Sequence, residues 1–248
     1  MPALFAVITL AWSVPALADL AQTVARVKPA IVGIGTVVPT RAPARSLFGT
    51  GFVVGDGRTI VTNAHVIPKV VADAQQERLV IIAGNATQPQ VREAKVIALD
   101  AEHDIALLRI DGTPLPTLTL ADSDTLREGA TIAFTGFPLG LLLGLHPATH
   151  RGIVSAITPF VIPTISPRQL DAKTVRRMAR PFYVFQLDAT AYPGNSGSPI
   201  YDPETGAVYG VLNSVFVKES RENLLKQPSG ISYAIPANFI RELLESAR

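Results

Sequence analysis

Cysteine is absent from all 248 residues. That excludes a disulfide framework and a thiol nucleophile, so any exported form of the chain holds together without covalent staples. Charge is also sparse: only 17% of residues are charged, and 22 basic against 20 acidic side chains leave a net charge of +2. No broad positive face follows from that balance, and nucleic acid is not an expected partner. Histidine occurs at only four positions, 65, 103, 146 and 150, which leaves few candidates for proton-transfer chemistry. What is plentiful is apolar sequence, 48% of the chain, enough for one compact unit or two small subdomains packed together.

The first 18 residues carry no charge and end in Ala16-Leu17-Ala18, the small-residue pattern of a signal cleavage site. The run is shorter than the roughly 20 apolar residues that span a bilayer, and Pro15 interrupts it. The expectation is a signal peptide over 1–18, a mature chain from Asp19, no stable membrane span after cleavage, and a periplasmic or secreted location. The basic stretch that usually opens an export signal is missing, since the first basic residue is Arg26.

After this segment, Leu20, Val24 and Val27 fall at helical spacing behind Asp19, a good N-cap, and Pro29 ends the pattern. The sequence then changes character. Short apolar runs bounded by Gly, Pro, Asp and Asn predict strands at 31–38, 51–54, 59–62, 79–82, 94–99 and 105–110. A linker-like stretch at 111–124 separates them from a second set at 131–134, 152–157, 183–187, 199–201, 208–217 and 231–235. Two six-stranded β-barrels, over about 30–112 and 125–236, are the simplest arrangement of these runs. Residues 237–247 read as a closing helix, with Phe239, Ile240, Leu243 and Leu244 on its apolar side. The fold class is therefore all-β with a short helix at each end.

Two loops stand apart. Residues 136–144, Gly-Phe-Pro-Leu-Gly-Leu-Leu-Leu-Gly, are apolar yet glycine-rich, and read equally as a buried turn or an apolar lip that gates a site. The stretch 159–181 is proline-rich and then basic, with Arg168, Lys173, Arg176, Arg177 and Arg180; a solvated face is the ordinary reading of such a run, and contact with an acidic substrate or anionic lipid the sharper one.

The sharpest chemical signal is Gly194-Asn195-Ser196-Gly197 between two strand-like runs. A nucleophilic serine needs a tight turn that exposes its hydroxyl and aims backbone N–H groups at a developing oxyanion, and flanking glycines permit both. Alone, these are ordinary turn residues. His65 follows the apolar run Ile60-Val61 in Thr62-Asn63-Ala64-His65, where a turn can present the imidazole at a barrel edge. Asp104 opens the apolar run Ile105-Ala106-Leu107-Leu108, and a carboxylate there is costly to bury without partners. His103 is its sequence neighbour but would point to the opposite face of a strand, which makes it an unlikely base.

Thr-Asn-Ala-His-Val, Asp-Ile-Ala-Leu-Leu and Gly-Asn-Ser-Gly in this order, together with Gly49-Thr50-Gly51-Phe52, Gly152-Ile153-Val154-Ser155-Ala156 and Tyr233-Ala234-Ile235-Pro236, resemble the HtrA/Deg-type trypsin-like serine proteases. The resemblance runs from about Val32 to the closing helix. It implies a double β-barrel with the site between the barrels and a triad of Ser196, His65 and Asp104. It further implies an oxyanion hole from the N–H groups of Gly194 and Ser196, and polypeptide substrates, with no cofactor or metal. By the same resemblance Leu212, Asn213 and Ser214 lie on a strand that pairs with extended substrate, and Thr190 and Ala191 shape the specificity pocket. Neither pocket residue is charged, which points to small or medium aliphatic side chains in the substrate.

The departures are equally informative. Asn195 stands where digestive relatives carry an aspartate that pairs with a freed N-terminus, so that route of activation is not expected. Ser198 replaces a second glycine after the nucleophile. The chain ends at Arg248 directly after the closing helix, so no PDZ module is expected within it. The segment between Val38 and Gly49 is short, so the subunit-linking loop of some relatives is not expected, and the sequence carries no signature of oligomeric state. An alternative of another class is a peptide-binding or chaperone-like protein with a gated or inactive cleft; a third is an esterase.

Overall fold

The computed structural model describes residues 19–68, 77–85, 87–140, 144–160, 181–213 and 230–248. The expected signal segment 1–18, the basic cluster 168–180, Ser214 and the middle of the apolar loop lie outside these residues.

Twelve strands close into two antiparallel six-stranded barrels, the architecture expected from the spacing of apolar runs. The first takes β1 (Ile31–Val37), β2 (Arg45–Val54), β3 (Thr59–Thr62), β4 (Arg78–Asn85), β5 (Gln88–Asp100) and β6 (Ile105–Ile110), in the spatial order β1-β2-β3-β6-β5-β4. The second takes β7 (Thr131–Gly136), β8 (Ala148–Pro159), β9 (Tyr183–Asp188), β10 (Pro199–Tyr201), β11 (Val208–Asn213) and β12 (Ile231–Pro236), in the order β10-β11-β12-β9-β8-β7. Closure removes exposed strand edges, which is how such sheets avoid pairing with other chains.

Helix α1 (Leu20–Val27) is capped by Asp19, whose carboxylate accepts the Ala21 N–H at 3.3 Å. It does not stay with the barrel it precedes. Thr23 Oγ1 and Arg26 both donate to the Glu204 carbonyl in the second barrel, at 2.9 and 3.0 Å. Helix α2 (Ala237–Ser246) buries Ile240 and packs against β11 and β12 of its own barrel and β5 and β6 of the other.

The stretch read as a linker is a seam. Leu118 N–H donates to Val53 O at 2.9 Å, Val208 N–H to Thr119 O at 2.9 Å, and Ala121 N–H to Val208 O at 2.7 Å, so the connection is stitched to both barrels in turn. The core follows the same logic: Tyr201, Val208, Val211 and Ile235 of the second barrel belong to one buried cluster with Ile34, Phe52, Ile60 and Leu107 of the first. Each such side chain contributes about 1.5–3 kcal/mol on burial, so the junction between barrels is held as the barrels themselves are.

Candidate active site

The candidate residues meet at the junction between the barrels. β3 ends at Thr62, and the chain turns through a single 3-10 turn, Ala64–Val66, that presents His65 to solvent. Its partner comes from the turn between β5 and β6. Asp104 adopts left-handed backbone (φ 54°), a region open chiefly to Gly, Asn and Asp. That twist turns its carbonyl to accept from Asn63 Nδ2 at 3.0 Å and the Ala64 N–H at 3.1 Å, while its carboxylate reaches His65. Oδ1 accepts the His65 backbone N–H at 2.8 Å, and Oδ2 meets His65 Nδ1 at 2.6 Å. Nδ1 is then the protonated nitrogen, and Nε2 is left as the basic one.

A further donor comes from the other barrel. At the end of β11, Asn213 Nδ2 donates to the same Asp104 Oδ2 at 2.5 Å. The sequence places Asn213 among substrate-pairing positions; its side chain also holds Asp104. Five hydrogen bonds from donors on two segments, residues 63–65 and Asn213, keep this carboxylate and its carbonyl in one pose, which a partly buried charge requires. Leu212 is committed to the nucleophile turn: its N–H donates to Ser198 O at 2.8 Å and its carbonyl accepts the Gly197 N–H at 2.9 Å.

Ser196 lies in a tight turn between β9 and β10, buried and anchored to the first barrel by the Thr50 N–H, which donates to Ser196 O at 2.8 Å. β2 therefore brings the serine turn to the histidine turn. Gly49 sits between them, where a Cβ would stand 2.8 Å from Val66 Cγ1 and 2.9 Å from Ser196 O. Gly194 and Gly197 have φ of 97° and 88°, and a Cβ at Gly197 would lie 1.9 Å from Thr50 O, so no other residue fits there. Thr50 also uses its side chain: Oγ1 donates to Gly194 O at 2.8 Å and accepts the Phe137 N–H at 3.0 Å. Sequence reasoning gives Thr50 no role beyond the Gly-Thr-Gly motif.

Phe137 is fully buried, and the Leu139 N–H donates to Pro193 O at 2.6 Å. Of the two readings of the apolar loop, its described beginning, 137–140, is a buried turn docked on the residues before the serine. Thr190 and Ala191 lie just upstream, partly exposed, with Ala191 packed against the second barrel's core. Asn195 is buried with neither amide atom hydrogen-bonded, as is the Ser198 hydroxyl. His103, passed over as a strand residue facing away, sits in the turn before β6 rather than in a strand, and its imidazole pairs with Asp100. Among the described residues no group of three or more acidic or histidine side chains has the arrangement of a metal site.

Known proteins resemble this chain in sequence and in fold. A family model described as a trypsin-like peptidase domain matches residues 49–211, a span that includes His65, Asp104 and Ser196. A probable periplasmic serine endoprotease, DegP-like, from Halomonas elongata is 31% identical over 206 residues, 82% of this chain and 36% of the relative. The mitochondrial serine protease HTRA2 of Bos taurus is 36% identical over 197 residues, 79% of this chain and 35% of the relative. The chain thus spans about a third of the length of these curated relatives. Among solved structures, the HtrA-type protease AlgW with a tripeptide superposes with a TM-score of 0.65 at 26% identity, covering 92% of this chain and 63% of that one. The serine endoprotease from Yersinia pestis does so with a TM-score of 0.64 at 25% identity, covering 95% and 68%. With the family model across two thirds of its length and both barrels in place, this chain belongs to the trypsin-like peptidase family, and its protease domain is of the HtrA type.

Proposed function

We propose that the chain is a serine endopeptidase that cleaves unfolded or exposed polypeptide segments in the periplasm. The observation that carries the reading is the His65 and Asp104 pair, 2.6 Å between Nδ1 and Oδ2, with Asn213 as a further donor to that carboxylate, beside a serine turn anchored through Thr50.

The chemistry follows from the tautomer. With Nδ1–H held by Asp104, His65 Nε2 accepts the Ser196 hydroxyl proton as Oγ attacks the scissile carbonyl carbon. The tetrahedral intermediate places its charge on the former carbonyl oxygen, where the N–H groups of Gly194 and Ser196 serve as donors; each such donor lowers the barrier by about 2.7–4 kcal/mol. His65 then delivers the proton to the leaving amine, and the C–N bond breaks. A water molecule repeats the sequence on the acyl-enzyme, returning Ser196 and releasing the acid. Asp104 remains ionised throughout and stabilises the imidazolium that forms in each half.

Small, uncharged Thr190 and Ala191 beside the nucleophile favour small or medium aliphatic side chains at the cleavage site. The periplasmic relatives support the location, and among the described residues no helix is long and apolar enough to cross a membrane. The peptide named in the matched AlgW structure supports polypeptide as the substrate class.

The test is hydrolysis of a fluorescently labelled unfolded protein by the chain and by Ser196→Ala, with cleavage sites read by mass spectrometry. Turnover by the chain alone, with cuts after aliphatic residues, is the expected result. Absence of turnover together with no labelling of Ser196 by a phosphonylating reagent overturns the endopeptidase and favours a binding protein with an inactive cleft; cleavage of activated esters without cleavage of protein favours an esterase.

A further inference from the structure

Two carboxylate and imidazole pairs draw on the turn between β5 and β6. The first is Asp104 with His65. The second, which the proposed reaction does not use, is Asp100 with His103, where Nδ1 and Oδ2 are also 2.6 Å apart. Asp100 closes β5, and its Oδ1 accepts the N–H groups of Glu102 at 2.9 Å and His103 at 3.0 Å, so one carboxylate ties down the backbone of the turn and the ring that leaves it. Burial opposes ionisation of Asp100, yet the His103 N–H, the imidazole and the Glu102 N–H together outweigh it and hold the carboxyl below the usual carboxylate range.

The ring itself is clamped. It stacks on Phe239 of α2 at 3.9 Å between centroids and makes a T-shaped contact at 4.7 Å with Phe182, just before β9. Phe182 in turn packs edge-on against Phe239 at 5.6 Å and stacks with Phe160 at 5.0 Å. Both jaws belong to the second barrel and its helix, whereas His103 belongs to the first. A plain core filler would need only the aromatic slot, which Phe or Leu fills; a ring that also has its own carboxylate is fixed in rotation as well as position.

What this fixed ring controls is the next residue. Asp104 holds a left-handed φ, a conformation that persists only where the surroundings over-determine it. We propose that His103 is a positioning residue: anchored by Asp100 and clamped by Phe182 and Phe239, it sets, through the peptide shared with Asp104, the pose of that carboxylate between His65 and Asn213. The inference rests on the reading of Asp104 as the residue that orients His65. It makes the pose of Asp104 depend on the docking of α2 and β9 as well as on the first barrel.

The test compares the full chain with His103→Phe, which fills the slot but releases Asp100, Asp100→Asn, which keeps an oxygen for the turn, and Asp104→Ala. Displacement of a catalytic group by a fraction of an ångström to 1 Å costs up to about a hundredfold. The expected result is a kcat reduced roughly ten- to a hundredfold in His103→Phe with KM nearly unchanged, and a smaller, several-fold loss of kcat in Asp100→Asn, whose amide keeps the N–H bonds of the turn but not the carboxylate that holds the ring. Proton NMR supplies the second readout: wild type gives two low-field Nδ1–H signals, and in His103→Phe the remaining His65 signal moves or broadens. A wild-type kcat and an unmoved His65 signal in His103→Phe, with activity lost in Asp104→Ala, overturn the inference and leave the protease reading standing. Full activity in Asp104→Ala overturns both. Should His103→Phe fail to fold, Phe239→Leu loosens the clamp without touching the turn; a several-fold loss of kcat there supports the proposal, and an unchanged kcat overturns it.

Discussion

Asp104 accepts five hydrogen bonds, and its side chain and its partners are open to test. Asp104→Asn keeps the shape but presents an amide to His65, which favours the wrong tautomer; kcat is expected to fall on the order of 10⁴-fold with the fold intact. Asn213→Ala removes one charge-assisted donor, worth about 1.5–3 kcal/mol, so steady-state kinetics should show a kcat lower by roughly ten- to a hundredfold and an unchanged cleavage pattern. Thr50→Val strands Gly194 O and the Phe137 N–H without their shared hydroxyl. A loss of about 1–3 kcal/mol in urea unfolding is expected, together with slower phosphonylation of Ser196. His150 supplies a pH dependence. Burial against Phe134, 4.8 Å away in stacked geometry, holds its pKa below the ordinary histidine value, so the native state binds fewer protons than the unfolded chain. Its cost appears as pH falls below about 6.5 and grows down to the lowered native value. His150→Phe should reduce that acid sensitivity, read as a smaller difference in urea midpoint between pH 7.5 and pH 5.

Residues 65, 104 and 196 stand out in the sequence because chemistry restricts their types and their neighbours. The supporting roles of Asn213, Thr50 and Asn63 do not, because an amide or hydroxyl that props another group is indistinguishable in one sequence from any polar residue at a strand end. Their roles depend on which strands meet, and that information is non-local.

Among the elements, short buried strands were the most legible. β3, β6 and β10 begin and end where their apolar runs do, since every residue but Arg109 is buried. Longer strands overrun their apolar runs. β5 extends over Gln88–Asp100, past the expected 94–99, because its first half, Gln88 to Glu93, is mostly polar and nowhere buried yet pairs with β4, so no apolar periodicity marks it. β8 likewise starts four residues early at Ala148, held by pairing with β7. The helices were legible from caps and spacing, but what they dock on was not. Helix α1 carries a prediction at this scale: Val27 is buried where the helix crosses to the turn at Gly206, and Val27→Ala should cost about 1–3 kcal/mol. For a chain of this size that lowers Tm by roughly 2–10 °C in a thermal scan.

At the scale of the molecule, the two-barrel plan could be read from the count and spacing of strands, but the interdependence of the barrels could not. The segment read as a linker is zipped to both, α1 leaves the first barrel for the second, and α2 returns from the second to the first. A single cooperative unfolding transition is therefore expected, with the signal of Trp12 excluded by using far-UV circular dichroism and Tyr fluorescence as separate probes; two resolved transitions would mean that the seam does not couple the barrels.

The bond from Asn213 to Asp104 crosses that seam, and its position along the chain has a temporal consequence. His65 and Asp104 lie more than 90 residues ahead of Ser196, and the amide that completes their geometry comes later still, at 213. In the proposed reaction, a ribosome or translocation channel delivering the chain N-terminus first hands over the base and its orienting carboxylate long before the nucleophile, and the nucleophile before the last brace. The half-made protein of that reading is inert by order of synthesis and cuts neither itself nor its neighbours before the chain is complete.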